Sequence, residues 1–448
     1  MPYKQGSGAS RLFHWLVSPQ DGLSLVILAV ALLAHLCIPA ARENTSGFFL
    51  ISHYNPETQR YAIGRNDASF LAFCVILFTA LRAILIKYLL GPLARRCSIF
   101  RPRDVTRFSE QAWLLCYYTV FWTLGLYIYC TSKYFLDQRE MFSDWPTREL
   151  PGLTKCYILG QWAFWIQQLI IVNIEERRKD HWQMVAHHLV TLLLIYTSYV
   201  LHLTRVANVI LILMDVVDLL FPLAKCLKYA GFSTLRDTMF GIFMLAWFLA
   251  RHVLYCITMY GIFMHMPREI RVGCYHGSQD TSPTPLPLPA HGWTHMLQPF
   301  WNPGGTICYS DSIRVWFLGA LGFLQLLTVM WFVLIVRVAV RVVKGFGADD
   351  IRSGDEDEGD ADADADVHDE EKPEDEAGVS GKDDGRDIEC KNVPLQTGVG
   401  AVERETYCRP SRGRVAVNRG PAPSSVSLSG QHYRKEHLGR IGCEKKQE

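Results

Sequence analysis

The 448-residue chain lacks the patterns that mark most soluble catalysts and nucleic-acid binders. Its formal net charge is +1, so no bulk field draws it to nucleic acid. Its thirteen cysteines include no CxxC pair, which excludes a zinc ribbon and a dense disulfide framework. GxGxxG and Walker patterns are missing, as is any repeat of fixed period, so nucleotide folds and solenoids are not indicated. Residues 348–448 have no apolar run able to cross a bilayer; every such run lies within 1–347.

What the chain does have is a series of apolar runs. About twenty such residues cross a bilayer core as a helix. The runs at 23–41, 69–90, 111–131, 156–174, 184–201, 206–223, 237–264 and 313–336 predict about eight transmembrane helices. The first can be read as a signal peptide ending at Pro39-Ala40-Ala41 or as an uncleaved anchor. Loop charge sets the orientation. Arg95, Arg96, Arg101, Arg103 and Arg107 fall in one loop, Arg177, Arg178 and Lys179 in another, and Lys225, Lys228 and Arg236 in a third. Arg337, Arg341 and Lys344 follow the last run. With eight spans all four groups share one side, the cytosolic one, and both termini are cytosolic. The sequon Asn44-Thr45-Ser46 then falls in the first lumenal loop, as glycosylation requires.

The loop 265–312 is lumenal in this reading and rich in proline. It holds Cys274 and Cys308, which in an oxidising compartment can be either a disulfide or two thiols. From Asp349 the chain is strongly acidic, with Asp-Ala repeats at 360–366, and predicts a disordered tail. Ser353, followed by Gly-Asp-Glu356, fits the pattern of acidophilic kinases. The last four residues, Lys445-Lys446-Gln447-Glu448, resemble the KKxx signal that returns membrane proteins to the endoplasmic reticulum.

The chemistry concentrates between Arg177 and Tyr229. Two runs there are joined by a short link at His202–Arg205, so they are antiparallel neighbours. One carries His187 and His188, the other Asp215 and Asp218. His187 lies roughly 13 Å along the helix axis from Arg178; Asp218 and Asp215 lie roughly 10 and 15 Å from Lys225. The four groups are therefore placed at one depth, where ionisable side chains are costly and mark function. The bland reading is a buried cluster that glues two helices. The sharper reading is acyl transfer: an imidazole can accept an acyl group or deprotonate an amine, and a carboxylate can fix its tautomer. A di-iron hydroxylase is excluded by spacing, because His181, His187 and His188 do not form HxxxH or HxxHH sets, and no metal site is expected.

RRKDHWQMVAHH, with SYVLHLTR and MDVVDLLFPLAK after it, closely resembles the Lag motif of fungal ceramide synthases, the TLC-domain sphingoid-base N-acyltransferases. The resemblance implies an all-α polytopic membrane protein: residues 1–106 with two helices, a six-helix TLC domain at 107–345 with its Lag motif at 177–229, and a disordered acidic tail at 346–448. It implies transfer of an acyl group from acyl-CoA to a long-chain sphingoid base in the endoplasmic reticulum membrane, with acyl-CoA as substrate and no cofactor. It makes His187, His188, Asp215 and Asp218 the catalytic-motif positions, His187 as acyl acceptor or base with His188 as partner. Arg177, Arg178, Lys179 and His181 at the cytosolic mouth are candidates to bind coenzyme A phosphates; ordinary positive-inside flanking is the competing and simpler reading of the first three. In this family the final lumenal loop, here 265–312, is linked to acyl length, and acidic C-terminal kinase sites raise activity. A homodimer or small regulatory subunit is compatible. The competing function is a non-enzymatic TLC-fold lipid carrier or sensor, which need not keep both the HH and DxxD sets.

Overall fold

The computed structural model describes residues 21–174, 180–276, 285–289, 294–344, 388–392 and 406–410. The chain divides into two compact units, 1–367 and 368–448.

The first unit is helical. Its helices are α1 (Asp21–Cys37), α2 (Pro39–Phe49), α3 (Asp67–Arg96), α4 (Pro102–Cys130) and α5 (Gly152–Ile174). They are followed by α6 (His181–Val200), α7 (Thr204–Tyr229), α8 (Ser233–Glu269), the short α9 (Thr294–Trp301) and α10 (Asp311–Val343). Proline at the first position opens α2 and α4, where its missing N–H costs nothing. Two helices carry six-residue π-helical segments, Leu85–Leu90 in α3 and Leu249–Leu254 in α8. The helices α3, α4, α7, α8 and α10 are long and apolar enough to cross a membrane. Their outer faces expose Val120, Leu245, Phe263 and Leu326, an apolar surface suited to lipid.

The expected spans 156–174 and 184–201 are helices outside those five, and both are largely interior. In α5, Tyr157, Ile158, Leu159, Gln161, Ala163 and Phe164 have no exposed surface. A helix ringed by other helices can carry polar groups facing them. The first expected span is the 17-residue α1.

Alternate loops meet at one end of the bundle and build a cap. Strands β1 (Tyr54–Asn55), β2 (Arg60–Ala62) and β3 (Glu149–Leu150) form an antiparallel sheet, with Tyr61 opposite Leu150. Strands β4 (Gly273–Tyr275) and β5 (Ile307–Tyr309) pair antiparallel with Cys274 opposite Cys308, and those two cysteines are bonded. The sequence leaves that pairing open; the fold closes a loop of 34 residues with it. Arg148 donates to the carbonyls of Gly305 (2.7 Å) and Tyr275 (3.0 Å). The His202 ring, in the α6–α7 link, packs its two nitrogens against the carbonyls of Thr147 (2.9 Å) and Pro303 (3.1 Å). The loops after α2, α4, α6 and α8 are thus gathered at one end, as alternating crossings require.

Beneath the cap, Lys155 of α5 contacts Asp67 of α3 at 2.6 Å and donates to the carbonyls of Ser52 (3.0 Å) and Ala62 (2.6 Å). Tyr199 of α6 donates to the second Asp67 oxygen at 2.8 Å. A buried ion pair is tolerable when its remaining valences are filled in this way. The N-terminal helix α3 is tied by it into the core of the bundle.

In the second unit β6 (Ile388–Asn392) and β7 (Thr406–Pro410) pair antiparallel, with Cys390 opposite Cys408. The acidic run from Asp349, Ser353 and the final lysines lie outside the described residues.

Candidate active site

The site sits where α5, α6, α7, α8 and α10 converge. His187 and His188 are in the second turn of α6 and both are buried. Trp165 of α5 holds both rings, with centroids 5.4 Å from His187 and 5.2 Å from His188. Trp331 of α10 packs edge-on against His187 at 5.4 Å. His187 is therefore clamped in an aromatic slot between two helices. Nδ1 of His187 and both ring nitrogens of His188 have no hydrogen-bond partner among the described residues.

From His187 a cavity runs toward the cap. Thr191, Leu194 and Ser198 of α6, Leu211 and Met214 of α7, and Leu321 of α10 are among its lining residues. His187 to Ser198 spans roughly 16 Å of helix axis. The wall is almost wholly apolar and the cavity is small, about 40 Å³, room for a short hydrocarbon segment beside the imidazole.

The carboxylates lie on the next helix. Asp215 is fully buried and accepts a short hydrogen bond from Gln161 Nε2 of α5. Gln161 is itself fixed by Tyr117 of α4, whose hydroxyl donates to its Oε1 at 3.1 Å. Tyr157 reaches the same amide by passing close to Gly125: a Cβ there would stand 2.6 Å from the phenol oxygen, so any other residue would push the Tyr157 ring aside. Asp218 pairs with Arg251 at 2.9 Å. Arg251 is buried, donates also to the carbonyl of Met214 (3.0 Å), and lies over the Trp247 ring at 4.3 Å. It sits in the π-helical segment of α8, and such segments recur at functional sites.

Asp215 meets Gln161 and Asp218 meets Arg251, and no hydrogen bond or ion pair among the described residues joins either imidazole to either carboxylate. Residues three apart on α7 point to different neighbours: Asp215 to α5, Asp218 to α8. The carboxylates are held by Gln161 and Arg251, residues the sequence reading does not single out. Arg251 had a local signal, as the lone Asp, Glu, Lys or Arg between Thr238 and Pro267. Gln161 had none beyond being polar in an apolar run.

Of the remaining residues, His181 is buried in the first turn of α6 against Trp182 (5.4 Å), two turns from His188 and outside the ring cluster. Arg177, Arg178 and Lys179 lie outside the described residues. Asn44 is exposed on α2, a helix and not a loop; the neighbouring Thr45 hydroxyl donates to Ala41 O at 2.7 Å.

The site is thus a buried histidine pair within a helical bundle, with an apolar cavity beside His187. Residues 107–337 match the TLC domain. The chain is 45% identical over 328 residues to a ceramide synthase of Gibberella moniliformis, covering 73% of this chain and 77% of that protein. It is 41% identical over 353 residues to a sphingosine N-acyltransferase-like protein of Alternaria alternata, covering 78% of each. A sphingosine N-acyltransferase of Schizosaccharomyces pombe is 36% identical over 337 residues, covering 75% of this chain and 79% of the relative. The chain belongs to the TLC-domain family of ceramide synthases.

Proposed function

We propose that this chain is a ceramide synthase that transfers a fatty acyl group from acyl-CoA to the amine of a sphingoid base. The observation that carries the reading is the seat of His187: a buried imidazole at the reactive end of an apolar cavity, with His188, Asp215, Asp218 and Arg251 around it. His187 takes the acyl group or the amine's proton, and His188 is its partner. Asp215 and Asp218 set the local charge, through Gln161 and Arg251 in place of direct contact. The synthase names of the relatives at 36–45% identity argue against a non-enzymatic carrier.

Acyl-CoA is a substrate in this reading, and no cofactor is required. Arg177, Arg178 and Lys179, which lie outside the described residues, meet its headgroup in this reading. The cap is lumenal, as its disulfide suits, which sets Asn44 in the lumen and both termini in the cytosol of an endoplasmic reticulum protein with eight crossings. Phosphorylation at Ser353, and assembly as a homodimer or with a small subunit, complete the reading.

The test is expression in a host deprived of its own ceramide synthase, with lipid mass spectrometry. Ceramide should appear with the wild-type chain and stay at background with His187→Ala at equal abundance. A well-expressed wild-type chain that yields no N-acylated base would overturn the assignment.

A further inference from the structure

We infer that Thr191 is a catalytic residue whose hydroxyl donates a hydrogen bond to the acyl carbonyl oxygen as it becomes negative. The inference rests on the proposed acyl transfer and adds to it the donor that the reaction needs.

Threonines inside helices ordinarily donate back to the carbonyl four residues earlier. Here Thr79, Thr119, Thr123, Thr197 and Thr258 all do so, at 2.7–2.9 Å. Thr191 does not. Its Oγ1 has no partner among the described residues, although the side chain is buried, at 8% exposure. A buried hydroxyl left unpaired costs about 1–3 kcal/mol. The carbonyl it forgoes is that of His187. Thr191 lies one turn from His187 on the same face of α6, where side chains stand about 5–6 Å apart, and both line the cavity. Thr191 thus lines an otherwise apolar cavity beside His187 with its hydroxyl unpaired. Ser198, further along, is satisfied by Ile195 O at 2.9 Å and does not compete.

In direct transfer, the imidazole removes a proton from the substrate ammonium. The free amine nitrogen then adds to the thioester carbonyl carbon, and the C=O π pair moves to oxygen, which accepts from Thr191 Oγ–H. The pair returns, the C–S bond breaks, and the departing thiolate takes the second proton from nitrogen. Thioester and ammonium become amide, thiol and one released proton. If His187 carries the acyl group, its nitrogen makes the first addition and is the leaving group in the second; the same oxygen carries the same pair each time. Either way the donor is stronger for the oxyanion than for the ground-state carbonyl, so it acts on turnover and little on binding.

Thr191→Val keeps shape and removes the donor; Thr191→Ser keeps the donor. Purified in detergent and assayed with acyl-CoA and sphinganine, Thr191→Val should lose about 10²-fold in kcat, the scale of one lost oxyanion donor, with KM for acyl-CoA nearly unchanged, while Thr191→Ser stays close to wild type. If Thr191→Val does not fold, Thr191→Cys, whose thiol is a weak donor, gives the same comparison with Thr191→Ser. A Val or Cys variant turning over at the wild-type rate overturns the role, and so does a Ser variant as impaired as Val. Those outcomes require an active wild type and leave the acyl-transfer reading intact; an inactive wild type overturns both.

Discussion

The two ends of this bundle differ in how far they satisfy their buried polar groups. In the cap, Arg148 and Arg205 each donate to two backbone carbonyls, Lys155 meets Asp67 and two more, and the neutral His202 ring donates to one of the two carbonyls beside it. Around His187, one oxygen of Asp215, the Nε of Arg251, the Thr191 hydroxyl and three of four imidazole nitrogens lack partners among the described residues. The contrast is one of degree, since the Tyr309 and Ser310 hydroxyls near β5 are also unpaired. Its physical content is that fold-holding groups spend their valences on the protein, while reacting groups keep theirs for substrate. The cap should therefore answer to stability measurements and the histidine end to turnover.

After the histidines, whose loss should abolish turnover, the largest effect is expected at the carboxylates. Asp215→Asn keeps size and removes charge, and should cut turnover by about 10²–10³-fold with normal abundance in membranes. Loss of the folded protein, with survivors at full turnover, would move Asp215 to the structural class. Next comes the cap. Cys308→Ser should lower stability by about 3–4 kcal/mol, the scale for a closed loop of this size, read as earlier thermal aggregation in detergent, with turnover per folded molecule unchanged. A folded variant that has lost its turnover would show that the cap takes part in the chemistry.

A smaller effect concerns pH. Burial pushes the His202 imidazole down to about 4, whereas an unfolded histidine titrates near 6.5. Between those values the unfolded chain binds more protons. Stability should then fall as pH drops from about 6.5 to about 4, by at most about 3 kcal/mol. His202→Gln should flatten this dependence of the thermal midpoint; an equally steep profile would place the titrating group elsewhere.

The sequence made the helices legible because a long apolar run is a local signal. The run 206–223 lies inside α7, and 237–264 inside α8. The histidine and aspartate pairs were legible for the same reason, as ionisable groups in such runs. Partner choice was not: whether Asp215 meets His187 or Gln161 depends on how α5 and α7 rotate against each other, which no single run records. The cap was hidden too. Residues 131–151 carry no long period, and their role follows from contacts with loops over a hundred residues away, such as Arg148 with Tyr275 and Gly305.

The central claim is that the histidine pair performs chemistry on an acyl group held in the cavity. Its most direct test is the double variant His187→Ala, His188→Ala, purified in folded form beside the wild type and given acyl-CoA and sphinganine, with ceramide measured by mass spectrometry. The account predicts product at the level of the no-enzyme control. Ceramide formed at the wild-type rate by the folded double variant would contradict it.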